Sequence, residues 1–178
     1  MMDIEKAKTC CFTGHRPEKL PDNGNENSVV IKALKSRLFL ETKNAVAQGY
    51  KYFITGIQRG VDLWAGECVL DFMGENDIHL IAAIPYKDFG KNYQAQDKWL
   101  FGRITDSADK IVYISEKYTK DCYKQRNLYM IENSSMLIAV VDDYNSGSGQ
   151  TIGLAKKNGI IIKNILIHGN ENDQCTFV

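Results

Sequence analysis

Three clusters of glycine, polar and charged residues have the composition of anion-binding loops. They read "TGHRP" at 13–17, "TGIQRGVD" at 55–62 and "SGSGQT" at 146–151. Small residues let backbone amides converge on a ligand, and the partial positive charge at a helix N-terminus stabilises a phosphate or carboxylate. The third cluster therefore predicts an anion site, with a flexible strand-to-helix turn as the alternative. It has neither the GxGxxG pattern nor the lysine of a P-loop.

The second cluster combines close-approach glycines with charged side chains. Gly56 and Gly60 allow a ligand to approach the backbone, and Arg59 offers several hydrogen-bond donors. Asp62 could accept hydrogen bonds from ribose hydroxyls, or it could cap the following helix, and the sequence leaves both roles open. Glu67 falls five residues later, so it points in a different direction and is typical of a solvated helix residue.

The first cluster places Gly14, His15 and Arg16 at the end of a short apolar run. Pro17 disfavours helical geometry at Arg16 and gives that residue a fixed direction. His15 could act as an acid or base near neutral pH, but no cysteine or serine partner is evident. We therefore expect His15 to contact a ligand rather than to catalyse.

A further group of aromatic and polar residues follows the third and fourth apolar runs. Tyr86, Lys87 and Tyr93 come after the third run, and Arg126 and Asn127 fall in the helix after the fourth. Aromatic rings beside cations suit stacking on a flat base whose phosphate faces the positive charge. The alternative is that the tyrosines cover the sheet edge and that Lys87 is solvated.

Apolar runs and helical patterns alternate about five times along the chain. Short runs such as "TCCFTG", "IHLIAAIPY" and "SMLIAVVDD" predict buried strands, whereas spaced apolar residues predict helices over 28–49, 61–74, 91–107, 121–134 and 150–158. This alternation predicts an α/β fold, a Rossmann-like three-layer sandwich with a mainly parallel sheet and helices on both faces. The glycine-rich clusters would then share the carboxyl edge, where open α/β sheets bind ligands.

The composition restricts the class of protein. The 178 residues fit a single domain over 1–178, with 170–178 as a loose polar tail, and 22 basic residues balance 22 acidic ones. This neutrality argues against a nonspecific nucleic-acid binder.

No signal sequence or membrane span is recognisable, which favours a cytoplasmic protein. The cysteines form no CxxC pair, so we expect free buried thiols at Cys10, Cys11, Cys68, Cys122 and Cys175.

Several of these motifs together resemble a known family. "TGHRP", "TGIQRGVDLWAGE", the Arg126–Asn127 pair and the serine/glycine loop before Thr151 occur in the order found in the YpsA-like family of the SLOG superfamily. The resemblance implies a Rossmannoid fold shared with LOG phosphoribohydrolases and the DNA-processing protein DprA. It also implies a pocket for nucleotide-derived ligands, ADP-ribose-like in some members, lined by Gly14, Arg16, Gly56, Gly60, Asp62 and the 146–151 loop.

The chain departs from the LOG enzymes at the glycine loop. Their "PGGxGTxxE" motif corresponds here to "SGSGQTIGL", which lacks the proline and the glutamate. Cleavage of a glycosidic bond needs a group that activates water or stabilises a cationic sugar, so this departure argues against hydrolysis. If hydrolysis occurred, the candidate catalytic residues would be Glu67, Asp62 and His15.

We therefore expect binding or sensing of a nucleotide-derived ligand, an ADP-ribose-like molecule or a nucleoside phosphate, without a metal or other required cofactor. A nucleotide N-glycoside hydrolase and a single-stranded DNA-associated protein are the alternatives. A homodimer through exposed helices is one expected assembly, and a cell-division protein partner follows from the family resemblance alone. The candidate ligand-binding residues are Gly14, His15, Arg16, Gly56, Arg59, Gly60, Asp62, Tyr86, Lys87, Arg126, Asn127, Ser146, Gly147, Ser148, Gly149 and Thr151.

Overall fold

Alternating strands and helices build a parallel sheet with helices on both faces. The computed structural model describes residues 4–74 and 77–167, so the predicted tail and Cys175 lie outside the described residues. The strands are β1 (Thr9–Gly14), β2 (Tyr52–Thr55), β3 (His79–Ile84), β4 (Lys110–Tyr113), β5 (Met136–Val140) and β6 (Ile161–Asn164). The helices are α1 (Val29–Ala47), α2 (Val61–Leu70), α3 (Ala95–Ser107), α4 (Cys122–Glu132) and α5 (Gly147–Lys157).

The strand order is β4-β3-β2-β1-β5-β6, and the neighbouring strands pair in parallel. From β1 the chain moves outward through β2 and β3 to β4, then crosses back to β5 and continues outward to β6. The direction of winding therefore reverses between β1 and β5. Such a switch point leaves a crevice at the carboxyl ends of the two strands, which is the usual ligand position in open α/β sheets.

The sheet separates two hydrophobic layers, as the Rossmann-like prediction requires. Alternating strand residues such as Phe12 and Leu80 pack with α1, α2 and α3, whereas Cys11 and Ile81 pack with α4 and α5. Successive residues of a strand point to opposite faces, so strands that are apolar on both faces need helices on each side. The fold class predicted from the sequence is confirmed.

Local signals in the sequence account for the first helix. Ser28 is the N-cap of α1, and its hydroxyl accepts a hydrogen bond from the Ile31 amide. The predicted stripe of Ile31, Leu34 and Leu38 is buried against the sheet. The helix ends before Gly49, whose positive φ of 90° continues the chain toward β2 without the strain that a side chain would cause.

Three details of the sequence prediction were wrong. Helix α5 begins at Gly147 rather than Gln150, because the Ser146 side chain caps it and brings the glycines into its first turn. Helix α2 ends at Leu70 rather than near Gly74. Helix α3 begins at Ala95 rather than near Lys91. The side chain of Trp99 lies on the outer surface of this helix and is 62% exposed.

The four cysteines within the described residues are free and buried, as predicted. Burial raises the pKa of Cys11 and of Cys68 to about 12, so neither thiol is reactive at neutral pH. Over the described ranges, no helix combines the length and apolar character needed to cross a membrane.

Candidate functional site

The crevice between β1 and β5 is lined by the loops that follow these two strands. His15 joins them, because its Nε2 atom lies 2.9 Å from Asp142 Oδ1 and 3.3 Å from the Asp142 amide nitrogen. The His15 side chain is only 1% exposed. The buried His15 side chain therefore links the loop after β1 to the loop after β5. The next residue, Arg16, is exposed, and its guanidinium carbon lies 5.9 Å from the centre of the Tyr123 ring.

The start of α5 lies against the end of β1. The Ser146 hydroxyl accepts a hydrogen bond from the Gly149 amide at 3.0 Å, and the Ser148 hydroxyl donates one to the Gly14 carbonyl at 2.6 Å. This second bond fixes the helix against the end of β1. Within the described part of the chain, the amides of Gly147 and Ser148 have no hydrogen-bond partner, as expected for the first turn of a helix. Gly147 is exposed, and a β-carbon there would meet no atom within 4 Å.

A buried ion pair joins the other two motifs. Arg126 Nη1 donates a hydrogen bond to the Gly56 carbonyl at 2.6 Å and lies 3.6 Å from Asp62 Oδ2. Asp62 comes from α2 on one face of the sheet, and Arg126 comes from α4 on the other face. Both side chains are about 7% exposed. The pair therefore connects the two helical layers above the carboxyl edge.

This pair continues through side chains to the start of α5. Arg126 Nε donates to Asn127 Oδ1 at 2.8 Å, and Asn127 Nδ2 donates to Thr151 Oγ1 at 2.8 Å. Thr151 in turn donates its hydroxyl to the Gly147 carbonyl at 3.1 Å. A continuous set of hydrogen bonds thus fixes the first turn of α5 relative to the loop after β2. Buried polar groups that all have hydrogen-bond partners make a site rigid.

The loop between β2 and α2 needs its glycines for steric reasons. A β-carbon on Gly56 would lie 1.9 Å from Arg126 Nη1, and one on Gly60 would lie 2.7 Å from the His15 carbonyl oxygen. Gly60 also has a φ of 86°. Between them, the buried Ile57 has a φ of 45°, which is rare for a β-branched residue. Backbone strain of this kind is common at functional sites.

The electrostatics of Asp62 follow from its position. Burial raises the pKa of Asp62 to about 6, opposed by the positive charge of Arg126 and by hydrogen bonds from the Gln58 and Gly14 backbone. Burial likewise lowers the pKa of Arg126, which remains a cation at neutral pH because a guanidinium pKa lies far above 7. Asp62 therefore accepts hydrogen bonds at the start of α2. Both donors lie outside the first turn of α2, and no side chain caps that helix, so Asp62 joins the loops after β1 and β2 rather than capping α2. Ribose contact by Asp62 stays a prediction.

The motifs described above all lie within a segment of the chain that matches a known family. A family model described as the YspA SLOG family, named YpsA, matches residues 10–159. The chain belongs to the YpsA SLOG family. It is also 30% identical over 158 residues to UPF0398 proteins of Bacillus cereus strains B4264 and G9842 and of Bacillus thuringiensis strain Al Hakam. Each alignment covers 86% of this chain and 85% of the relative.

In this SLOG protein the remaining predicted residues divide between the crevice and other surfaces. Arg59 forms an ion pair with Glu18 and lies 4.0 Å from Asp97, so these two carboxylates balance its positive charge. Lys87 lies 2.6 Å from Glu116 on the exposed surface. Tyr86 is half-buried at the carboxyl edge, in edge-to-face contact with other aromatic rings.

Glu67 lies in a different part of the SLOG domain from the ion pair. Its carboxylate is 3.2 Å from Lys35 Nζ on α1 and 3.8 Å from Arg103 Nη1 on α3. A cleft of about 370 Å³ between these helices includes Glu67 and Cys68. The three candidate catalytic residues therefore do not form one site. His15 and Asp62 are buried and hydrogen-bonded in the interior, whereas Glu67 forms ion pairs with residues of α1 and α3.

Sequence reasoning missed two features of the site. The link from Asn127 through Thr151 to Gly147 joins residues of two helices, so no local spacing indicates it. Tyr118 and Tyr123 both pack beside Tyr86, Tyr118 from the segment before α4 and Tyr123 from the first turn of α4. Their aromatic character close to a predicted strand end was the available signal.

Proposed function

We propose that this protein acts in the cytoplasm by binding a nucleotide-derived ligand, an ADP-ribose-like molecule or a nucleoside phosphate, through its phosphate in the crevice between β1 and β5. The observation that carries this proposal is the start of α5, where the amides of Gly147 and Ser148 have no hydrogen-bond partner among the described residues. Amides at a helix N-terminus favour an anion by their direction and by the helix dipole.

Arg16 supplies the positive charge that this role requires. It is exposed beside the crevice and forms no ion pair within the residues that the structure describes, whereas Arg59 is engaged by two carboxylates. Gly14, two residues before Arg16, accepts the Ser148 hydrogen bond. The loop that carries Arg16 is therefore hydrogen-bonded to the first turn of α5. A guanidinium and backbone amides together match the geometry of phosphate oxygens.

The direct test is calorimetry with AMP, ADP-ribose, NAD and cyclic nucleotides. We expect at least one of these compounds to bind, and absence of binding at millimolar concentration for the whole set would refute the proposal. High-performance chromatography of the same samples detects any released base. Such release would favour the hydrolase alternative, for which the raised pKa of Asp62 is the supporting observation.

Gly147→Val is the variant that tests the anion site. A side chain at Gly147 meets no protein atom within 4 Å, so the fold should persist while the branched side chain covers the free amides. We expect the affinity for a nucleotide that binds the wild type to fall at least about tenfold, as expected when hydrogen bonds to a charged group are lost. Gly153→Val is the matched control, because Gly153 also has open space but lies farther along α5. Equal loss of affinity in both variants would contradict the assignment of the phosphate to the first turn.

A further inference from the structure

Three tyrosines form an aromatic surface at the same carboxyl edge as the crevice. Tyr86 follows β3, Tyr118 follows β4, and Tyr123 lies in the first turn of α4. The ring centres of Tyr86 and Tyr118 are 5.6 Å apart, and those of Tyr118 and Tyr123 are 6.3 Å apart. We refer to Tyr86, Tyr118 and Tyr123 as the tyrosine platform.

The platform is accessible and is connected to Arg16. Tyr118 is 61% exposed although it contacts two other rings, so a large part of its ring is open to solvent. The guanidinium of Arg16 lies 5.9 Å from the centre of the Tyr123 ring. Arg16 therefore contacts the platform from a loop whose Gly14 carbonyl accepts a hydrogen bond from Ser148 at the start of α5.

This position indicates what the platform would bind. A planar base stacks on aromatic rings and on guanidinium groups, and the strength of stacking does not depend on specific hydrogen bonds. We infer that the tyrosine platform, with Arg16, binds the base of the ligand whose phosphate occupies the first turn of α5. This inference rests on the proposed function and adds to it the requirement that the ligand carries an aromatic base.

AMP and ribose 5-phosphate separate the two claims, because they share the sugar phosphate and differ in the base. Both are titrated by calorimetry into the wild type, Tyr118→Ala, Tyr118→Phe and Trp99→Ala. We expect the wild type to bind AMP more tightly than ribose 5-phosphate. Tyr118→Ala should weaken AMP binding by about fivefold to a hundredfold and leave ribose 5-phosphate binding unchanged. Tyr118→Phe keeps the ring and should keep the affinity for AMP.

Trp99→Ala is the matched control, since Trp99 is also an exposed ring beside an arginine, Arg103, but lies on α3 outside the platform. Unchanged AMP affinity in Tyr118→Ala, or equal weakening of both ligands, would overturn the platform while leaving the anion site in place. If ribose 5-phosphate bound to the wild type as tightly as AMP, the platform would also be overturned and the anion site would remain. If the wild type binds neither compound, the platform is refuted, and the wider nucleotide set then decides the proposed function separately.

Discussion

At the scale of single residues, Asp62 and Gly56 occupy tightly packed positions at the start of α2. Asp62 combines burial, a guanidinium partner and backbone donors, and Gly56 has no room for a side chain because Arg126 fills that space. Both residues precede or begin α2, and both contact α4 from the opposite layer. Substitutions here should therefore affect stability as well as ligand binding.

Asp62→Asn should change how stability depends on pH. The pKa of Asp62 is raised in the folded protein to about 6 from 3.8, so the folded state binds this proton more tightly than the unfolded state. The resulting stabilisation is complete below the unfolded pKa and is lost as pH rises through about 6. Between pH 7 and pH 5, the free energy of unfolding of the wild type should therefore gain about 1 kcal/mol that the variant does not gain.

Urea unfolding of both proteins at pH 5 and pH 7 measures this difference. Asp106→Asn, which removes an exposed carboxylate from α3, serves as the control and should follow the wild type. If Asp62→Asn and the wild type show the same change between the two pH values, the buried environment assigned to Asp62 is incorrect.

Gly56→Ala should destabilise the fold by about 1–3 kcal/mol, the usual cost of adding a group to a filled site. The new β-carbon would lie 1.9 Å from Arg126 Nη1 and 2.7 Å from Asp62 Oδ2, so the ion pair would have to separate. Gly102→Ala, within α3 and with no atom within 4 Å, should be neutral or stabilising by up to about 1 kcal/mol. Chemical denaturation compares the two variants, and similar stabilities would contradict the packing described around Arg126.

At the scale of secondary-structure elements, the helices α2 and α5 begin at the same edge but in different environments. The first amide of α2 donates to the His15 carbonyl, and the Asp62 carboxylate accepts from the adjoining loop. In α5, Ser146 satisfies the Gly149 amide, whereas the two preceding amides have no hydrogen-bond partner within the described residues. At the α2 terminus the amides of Val61 and Leu63 have protein acceptors, whereas neither Gly147 nor Ser148 at the α5 terminus has one in the described part of the chain, so the α5 terminus suits a ligand better.

Hydrogen exchange should distinguish the termini of α5 and α1. AMP should slow exchange at the amides of Gly147 and Ser148, because the phosphate would become their hydrogen-bond acceptor. The corresponding amides of Val29 and Val30 in α1 provide the comparison, since that helix is also capped by a serine. Mass spectrometry with and without AMP measures both segments. Slower exchange confined to α1 would be inconsistent with the proposed phosphate position.

At the scale of the whole molecule, topology brings together segments that are distant along the chain. Gly14 and Ser148 are in contact although 134 residues separate them, because β1 and β5 are neighbours in the sheet. The reversal of winding between these strands opens the crevice. The same reversal places α4 on the face opposite α2, and Arg126 can therefore reach Asp62 over the edge of the sheet.

The sequence by itself determined the α/β class, the approximate elements and the edge at which the glycine clusters lie. Those properties depend on local periodicity and on the fixed direction of parallel strands, which neighbouring residues encode. Only the tertiary structure decided which amides are already satisfied, that Arg126 pairs with Asp62, and that Glu67 faces Lys35 instead of the crevice. These contacts depend on strand order and on packing between layers, because side chains far apart in the chain meet only after the sheet has formed.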